Sequence, residues 1–170
     1  RSGLAARGDA QHALAARALV PVWAWGHPHG LRSGTDREAA QDCARHLAIA
    51  RQVGAQVMRI CGGGRRTRPG SWAEHKRGLV ELLLPLTEAA ERQGVVMAIE
   101  NHIDYTSEEI LQILQRVDSP ALKVNFDTGN TLRVMEDPVA AARRLGPYTV
   151  AAHLKDMDAC RHVRPEEWYF

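Results

Sequence analysis

Val95–Asp156 reads VVMAIENHIDYTSEEILQILQRVDSPALKVNFDTGNTLRVMEDPVAAARRLGPYTVAAHLKD, and its layout decides the fold. Three short apolar runs, VVMAIE, LKVNFD and TVAAHLKD, each carry a residue able to bind a metal at or near their end: Glu100, Asp127 and His153. The intervals are nearly equal, 27 and then 26 residues, and each holds one amphipathic helical pattern. Apolar runs of this length between helical patterns read as strands of a parallel sheet, buried on both faces and joined by right-handed crossovers.

Outward from this stretch the same alternation continues. ALVPVWAW (18–25) and QVMRIC (56–61) read as two earlier strands, with Pro21 marking a strand start or distortion. Between them Thr35 or Asp36 opens a helix that stops at Gly54, with Ala39, Cys43, Leu47 and Ala50 on its apolar face. Ser71 opens a long helix closed by Gly94, and Pro85 inside it predicts a kink. Thr106 and Glu109 form the T-x-x-E of a capping box that predicts a helix over 107–117. Asp137-Pro138 starts another helix, which Gly146-Pro147 ends. A helix is also expected over about 9–17, while the segment after Asp156 gives no assignment.

Five strands alternating with helices leave two architectures, an open doubly wound sheet and a (β/α)8 TIM barrel. Both place their chemistry at the carboxyl ends of the strands. No G-x-G-x-x-G or P-loop occurs. Ligand types at three consecutive strand ends favour the barrel, where such ends converge on one axis. About five β/α units are present, so the reading is an incomplete TIM barrel: one domain over residues 1–170, truncated at both ends.

Composition sets outer limits. The 170 residues are 45% hydrophobic and 25% charged, with a formal charge of +2. That balance provides for no nucleic-acid backbone and no membrane surface. Three widely spaced cysteines, Cys43, Cys61 and Cys160, form no C-x-x-C and point to a reducing, cytoplasmic setting. No apolar stretch approaches a membrane span.

Two carboxylates and an imidazole suit Mn2+, Mg2+, Co2+ or Zn2+. Around them IENH, FDTGN and HLKD resemble the motifs of the xylose isomerase-like superfamily of TIM barrels, over roughly residues 18–156. That superfamily includes sugar and sugar-phosphate isomerases and epimerases, dehydratases and endonuclease IV. The resemblance implies that Glu100, Asp127 and His153 bind a divalent metal and that Glu100 also acts as a catalytic acid/base. It implies proton transfer through an enediolate and a small sugar or sugar-phosphate substrate. It further implies a second glutamate after the eighth strand, which this sequence does not contain, so the chain alone is expected to bind metal weakly and turn over slowly. A homo-oligomer stays open.

Other residues carry weaker expectations. His102 or Asn101, beside Glu100, is expected to face the substrate. Asn130 stands where some relatives carry a second metal-binding histidine, which favours a mononuclear site with Asn130 on the substrate. Lys155 shares a face with His153 by strand alternation and is expected to hold an anionic or hydroxylated substrate, while Asp156 is the candidate to orient a ligand. Trp25 is a candidate wall of a sugar pocket, weighed against simple packing. His27 and His29 read as a loop pair, and Arg65, Arg66 and Arg68 as a solvated loop rather than a phosphate clamp. The alternatives in function are a lyase dehydrating a cyclic polyol or a dehydroshikimate-like acid, a non-catalytic relic, and an endonuclease IV-like nuclease. Cys61 and Asn130, standing where that nuclease has histidines, weaken the last.

Overall fold

The computed structural model describes residues 12–68, 70–157, 160–161 and 168–169. Five parallel strands form one sheet in the order β1 (Val22–Ala24), β2 (Val57–Ile60), β3 (Val96–Glu100), β4 (Leu122–Asp127) and β5 (Thr149–His153). Sequence order equals spatial order, so every connection is a single β/α step, as in a barrel and unlike a doubly wound sheet. The architecture is a half-barrel, an incomplete TIM barrel with helices on its outer face. A separate antiparallel pair, β6 (Cys160–Arg161) with β7 (Trp168–Tyr169), follows it.

The helices form where caps and apolar spacing require them. In α1 (Arg37–Gln52) the Asp36 side chain accepts from the Ala39 amide, and Ala39, Cys43, Leu47 and Ala50 are all buried. In α2 (Trp72–Gln93) Ser71 caps the start, and Gly94 at φ 63° ends the helix in the left-handed turn that glycine adopts at little cost. That helix runs without interruption through Pro85. The capping box of Thr106 and Glu109 opens α3, which spans Ser107–Val117 as predicted. Asp137 caps α5 (Pro138–Leu145). The short α4 (Asn130–Arg133) has no counterpart in the sequence reading, because four residues are too few to show periodicity.

The first expected strand is shorter than its apolar run. Ala18 sits at φ 52°, and Leu19 and Val20 are exposed, so pairing begins only after Pro21. Of the helix expected over 9–17, residues 12–15 are helical and 16–17 form a turn; residues 9–11 lie outside the described part.

The core lies between sheet and helices. Met58, Ile60, Met97, Ile99, Leu122 and Val124 meet Leu79, Leu83, Ile110, Ile113 and Leu145, all buried. The alternate strand residues Arg59, Glu100, Asn125, Asp127 and His153 belong to the other, concave face of the sheet. Ile113→Ala, which empties a fully buried position on α3, is expected to lower stability by about 2–4 kcal/mol. A urea unfolding midpoint that does not move would contradict this packing.

Candidate metal centre

Register brings the three strand ends together. Asp127 on β4 pairs with His153 on β5, and Glu100 on β3 pairs with Asn125 on β4. A register shift at Val124/Asn125 adds one residue to β5, and Asp127 and His153 come level beyond it. One donor atom from each of Glu100, Asp127 and His153 falls within 4.8 Å of the others. His153 Nδ1 lies 3.6 Å from Glu100 Oε1 and 3.5 Å from Asp127 Oδ2. Donors around a small divalent cation at ~2.1 Å stand about 3–3.5 Å apart, so this group could hold one with little adjustment. Among the described residues no other trio of His, Cys, Asp and Glu converges in this way.

Each carboxylate turns one oxygen to the cluster, and protein groups meet both oxygens of each. Asp127 Oδ1 accepts from the Gly129 and Asn130 amides at 3.0 and 3.1 Å. Its Oδ2 accepts no well-aligned hydrogen bond, although the Lys155 ammonium is 2.6 Å away as an ion pair. Burial pushes the Asp127 carboxyl up, but Lys155 and the two amides outweigh it and hold the group below its ordinary range. Glu100 Oε2 takes Nε and Nη2 of Arg59, with the Cys61 thiol at 3.6 Å. Glu100 Oε1 accepts from Asn130 Nδ2 at 3.1 Å and faces His153. This donor set, two carboxylates and one imidazole, fits a divalent cation in its donor types.

The remaining predicted residues are distributed unevenly. Asn130 reaches Glu100 as well as Lys155, whose Nζ is 3.5 Å from Asn130 Oδ1. Lys155 is thus in the cluster, on Asp127. His102 is half-buried, its Nδ1 has no hydrogen-bond partner among the described residues, and burial lowers its pKa. Asn101 acts on backbone: its Oδ1 accepts from the Asp127 amide at 2.6 Å and its Nδ2 donates to the Asp127 carbonyl at 2.9 Å. Trp25 is 1% exposed, stacks on His27 and donates to Asp42 of α1 at 2.9 Å, so it packs rather than presents an open wall. Arg68 donates to the Asp104 carbonyl, pairs with Glu109 and lies 5.5 Å from the Trp72 ring centroid, which ties its loop to α3.

Two features escaped the sequence reading. Arg59 was passed over inside an apolar strand, although a charge in a strand buried on both faces needs a partner and so gives a signal. Asp104 gave none. It is 1% exposed, neither oxygen has an aligned hydrogen-bond partner among the described residues, and burial pushes its carboxyl up to about 7. Nearby, Tyr105 is fully buried above Gly62, where a Cβ would stand 2.1 Å from its hydroxyl, and that hydroxyl is 3.1 Å from His75 Nε2.

The sequence profile of the xylose isomerase-like TIM-barrel family matches residues 9–167, and the chain belongs to that family. It is similar to a 3-oxo-isoapionate decarboxylase of Pectobacterium atrosepticum, with 24% identity over 81% of this chain and 47% of that protein. It also matches an uncharacterized Escherichia coli protein, YihM, with 28% identity over 41% of this chain and 21% of that one. Thus the chain spans at most about half the length of these relatives. Among solved structures it superimposes on a xylose isomerase domain protein from Planctomyces limnophilus with TM-score 0.76, at 22% identity, over 95% of this chain and 64% of that one. It matches a probable 3-DHS dehydratase, AsbF, from Bacillus anthracis with TM-score 0.76, 18% identity, and 98% and 61% coverage. A 3-keto-D-glucoside 4-epimerase from Escherichia coli gives TM-score 0.73, 13% identity, and 90% and 65% coverage. At these identities the structural likenesses establish the fold. Relatives of the fold include epimerases, a dehydratase and a decarboxylase. Among the described residues no helix is long and apolar enough to cross a membrane.

Asp104 provides a pH test. Its folded pKa stands above the unfolded value, so the folded state binds the extra proton and stability falls as pH rises from about 4 to about 7. Asp104→Asn is therefore expected to be more stable than the parent protein at pH 8, with the advantage shrinking toward pH 4. Chemical unfolding across that range checks it, and an advantage independent of pH would contradict the assignment.

Proposed function

We propose that this chain carries the metal-binding part of a divalent-metal-dependent sugar or sugar-phosphate isomerase or epimerase. The observation that supports this most directly is the convergence of Glu100, Asp127 and His153 at three adjacent strand ends, with the second oxygen of each carboxylate already engaged. Glu100 Oε1, Asp127 Oδ2 and His153 Nδ1 would hold Mn2+, Mg2+, Co2+ or Zn2+. A bound divalent cation supplies Lewis-acid polarisation of a substrate carbonyl, which acidifies the proton on the neighbouring carbon.

The chain's own groups perform the rest. Glu100 is one member of the acid/base pair that this chemistry requires, taking or giving the proton on its own face of the substrate. Lys155, with an ammonium on a flexible stem and the side chain 44% exposed, binds a hydroxyl, phosphate or carboxylate oxygen of the substrate. Asn130 orients Glu100 and offers its carbonyl oxygen toward Lys155. His102, kept neutral by burial, can donate or accept a hydrogen bond from a sugar hydroxyl. The small-molecule partner, the single-domain organisation and a cytoplasmic setting belong to the same proposal.

A second reading, a lyase acting on a polyol or keto acid, is favoured by the likeness to a dehydratase structure and to a decarboxylase sequence. Both readings begin with bond polarisation beside a carbonyl and differ in what leaves. The test is a panel of ketoses, ketose phosphates, inososes and 3-keto acids in D2O with added Mn2+. Deuterium at a carbon next to the carbonyl, without loss of water or CO2, is expected. Release of either supports the lyase. Glu100→Gln is expected to lower turnover by at least ~100-fold, the scale of a lost general base. Undiminished turnover with retained metal would remove Glu100 from the acid/base role.

A further inference from the structure

We infer that Arg59 is a positioning residue for the metal centre, one that selects which oxygen of Glu100 faces the cation site. This rests on the metal-binding reading above and adds a residue to it. Arg59 is the third residue of β2, on the concave face, between Ala24 of β1 and Ala98 of β3 in the ladder. Both cross-strand neighbours of Arg59 are alanines, whose small side chains leave room for a long one to extend toward the strand ends. There Nε and Nη2 both converge on Glu100 Oε2.

The convergence matters more than the charge. A guanidinium laid across both oxygens of a carboxylate would occupy the whole group. Here the fork saturates one oxygen and leaves the other for Asn130 and His153. Glu100 has 3% of its side chain exposed and Arg59 21%, so little water competes for either. The carboxylate plane is thereby fixed from below by Arg59 and from the side by Asn130. Residues that orient ligands in this way typically change metal affinity 10–100-fold when removed.

Simple charge repulsion makes the opposite forecast. An arginine beside a cation site should weaken cation binding, and its removal should strengthen it. The two accounts therefore differ in sign. Calorimetric titration of Mn2+ into the protein and its variants separates them, without reference to turnover. Arg59→Met is expected to bind Mn2+ roughly 10–100-fold more weakly than the parent protein. Arg59→Lys is expected to recover part of that loss, since it restores the charge but not the two-armed fork. In a Glu100→Gln background Arg59→Met is expected to change nothing further, because the arginine acts through Glu100.

Equal or tighter binding in Arg59→Met overturns the inference, and so does full additivity with Glu100→Gln. If Arg59→Met does not fold, as read by thermal melting, Arg59→Lys decides: affinity equal to the parent's overturns the positioning role. A purely structural arginine would lower the melting temperature with no coupling to Glu100. Absence of Mn2+ binding by the parent protein overturns the metal reading and the positioning role together, whereas normal parental binding with an unaffected Arg59→Met removes only the latter.

Discussion

Two carboxylates are buried side by side, and much of the local structure answers that constraint. Glu100 and Asp127 are 2% and 0% exposed, and their cluster-facing oxygens stand within 4.8 Å. At an effective dielectric of about 20, two full charges at that separation repel by roughly 3–4 kcal/mol, before any cost of leaving water. Each acid has its own answer. Glu100 has Arg59 from the strand on one side, and Asp127 has Lys155 from the strand end on the other. Two backbone amides at the Asp127 turn and the Asn130 amide add donors without adding charge. The two cations balance the two acids in number, yet each engages only one oxygen of its partner. The two oxygens that face His153 are each met by one of these groups, Asp127 Oδ2 by Lys155 and Glu100 Oε1 by Asn130.

The loops around these acids are tied together by hydrogen bonds. Asn101 behaves as one more residue of a ladder, accepting from the Asp127 amide and donating to the Asp127 carbonyl. It extends the pairing of β3 with β4 one step past the last strand residues. Below it, Gly62 lies under the Tyr105 ring, and Leu31 and Ser33 of the first loop donate to the Cys61 and Gly62 carbonyls. Successive loops are thus tied to one another at the carboxyl end of the sheet, which is where a barrel concentrates its chemistry. The ties are made by backbone and small polar groups, so the ligand-type side chains are left free to face the concave side.

Much of this was legible in the sequence, and the reason is local. The strands of a parallel sheet are read as unbroken apolar runs, and Ser71, Thr106 with Glu109, Asp137 and Gly94 announce helix ends through groups within three residues of each other. The nearly equal spacing of Glu100, Asp127 and His153 follows from one β/α unit per interval, and their meeting follows from register. What stayed hidden depends on contacts distant in sequence. Trp25 reads from sequence as a candidate pocket wall with packing slightly favoured, and its indole N–H bond to Asp42, 17 residues on, is not visible there. Arg68 read as a solvated cation until Glu109 and Trp72 appeared beside it. Asp104 carries no local mark, since burial, which depends on distant contacts, is the main influence on it.

Arg59 lies between these two kinds of residue and shows how the first kind can be extended. Its neighbours in sequence, Val57, Met58 and Ile60, describe an ordinary buried strand, and periodicity says only that Arg59 shares a face with Cys61. A guanidinium cannot lie in a sheet covered on both sides without a counter-charge, and the concave face of a β/α barrel offers such charges only near its carboxyl end. An arginine one or two residues before the end of a barrel strand therefore points to an acid on the neighbouring strand. Here the β2–β3 register leaves Glu100 as the acid within reach at the end of β3. The same reasoning separates Arg59 from Arg68: the first is held by the site, the second by the scaffold around it.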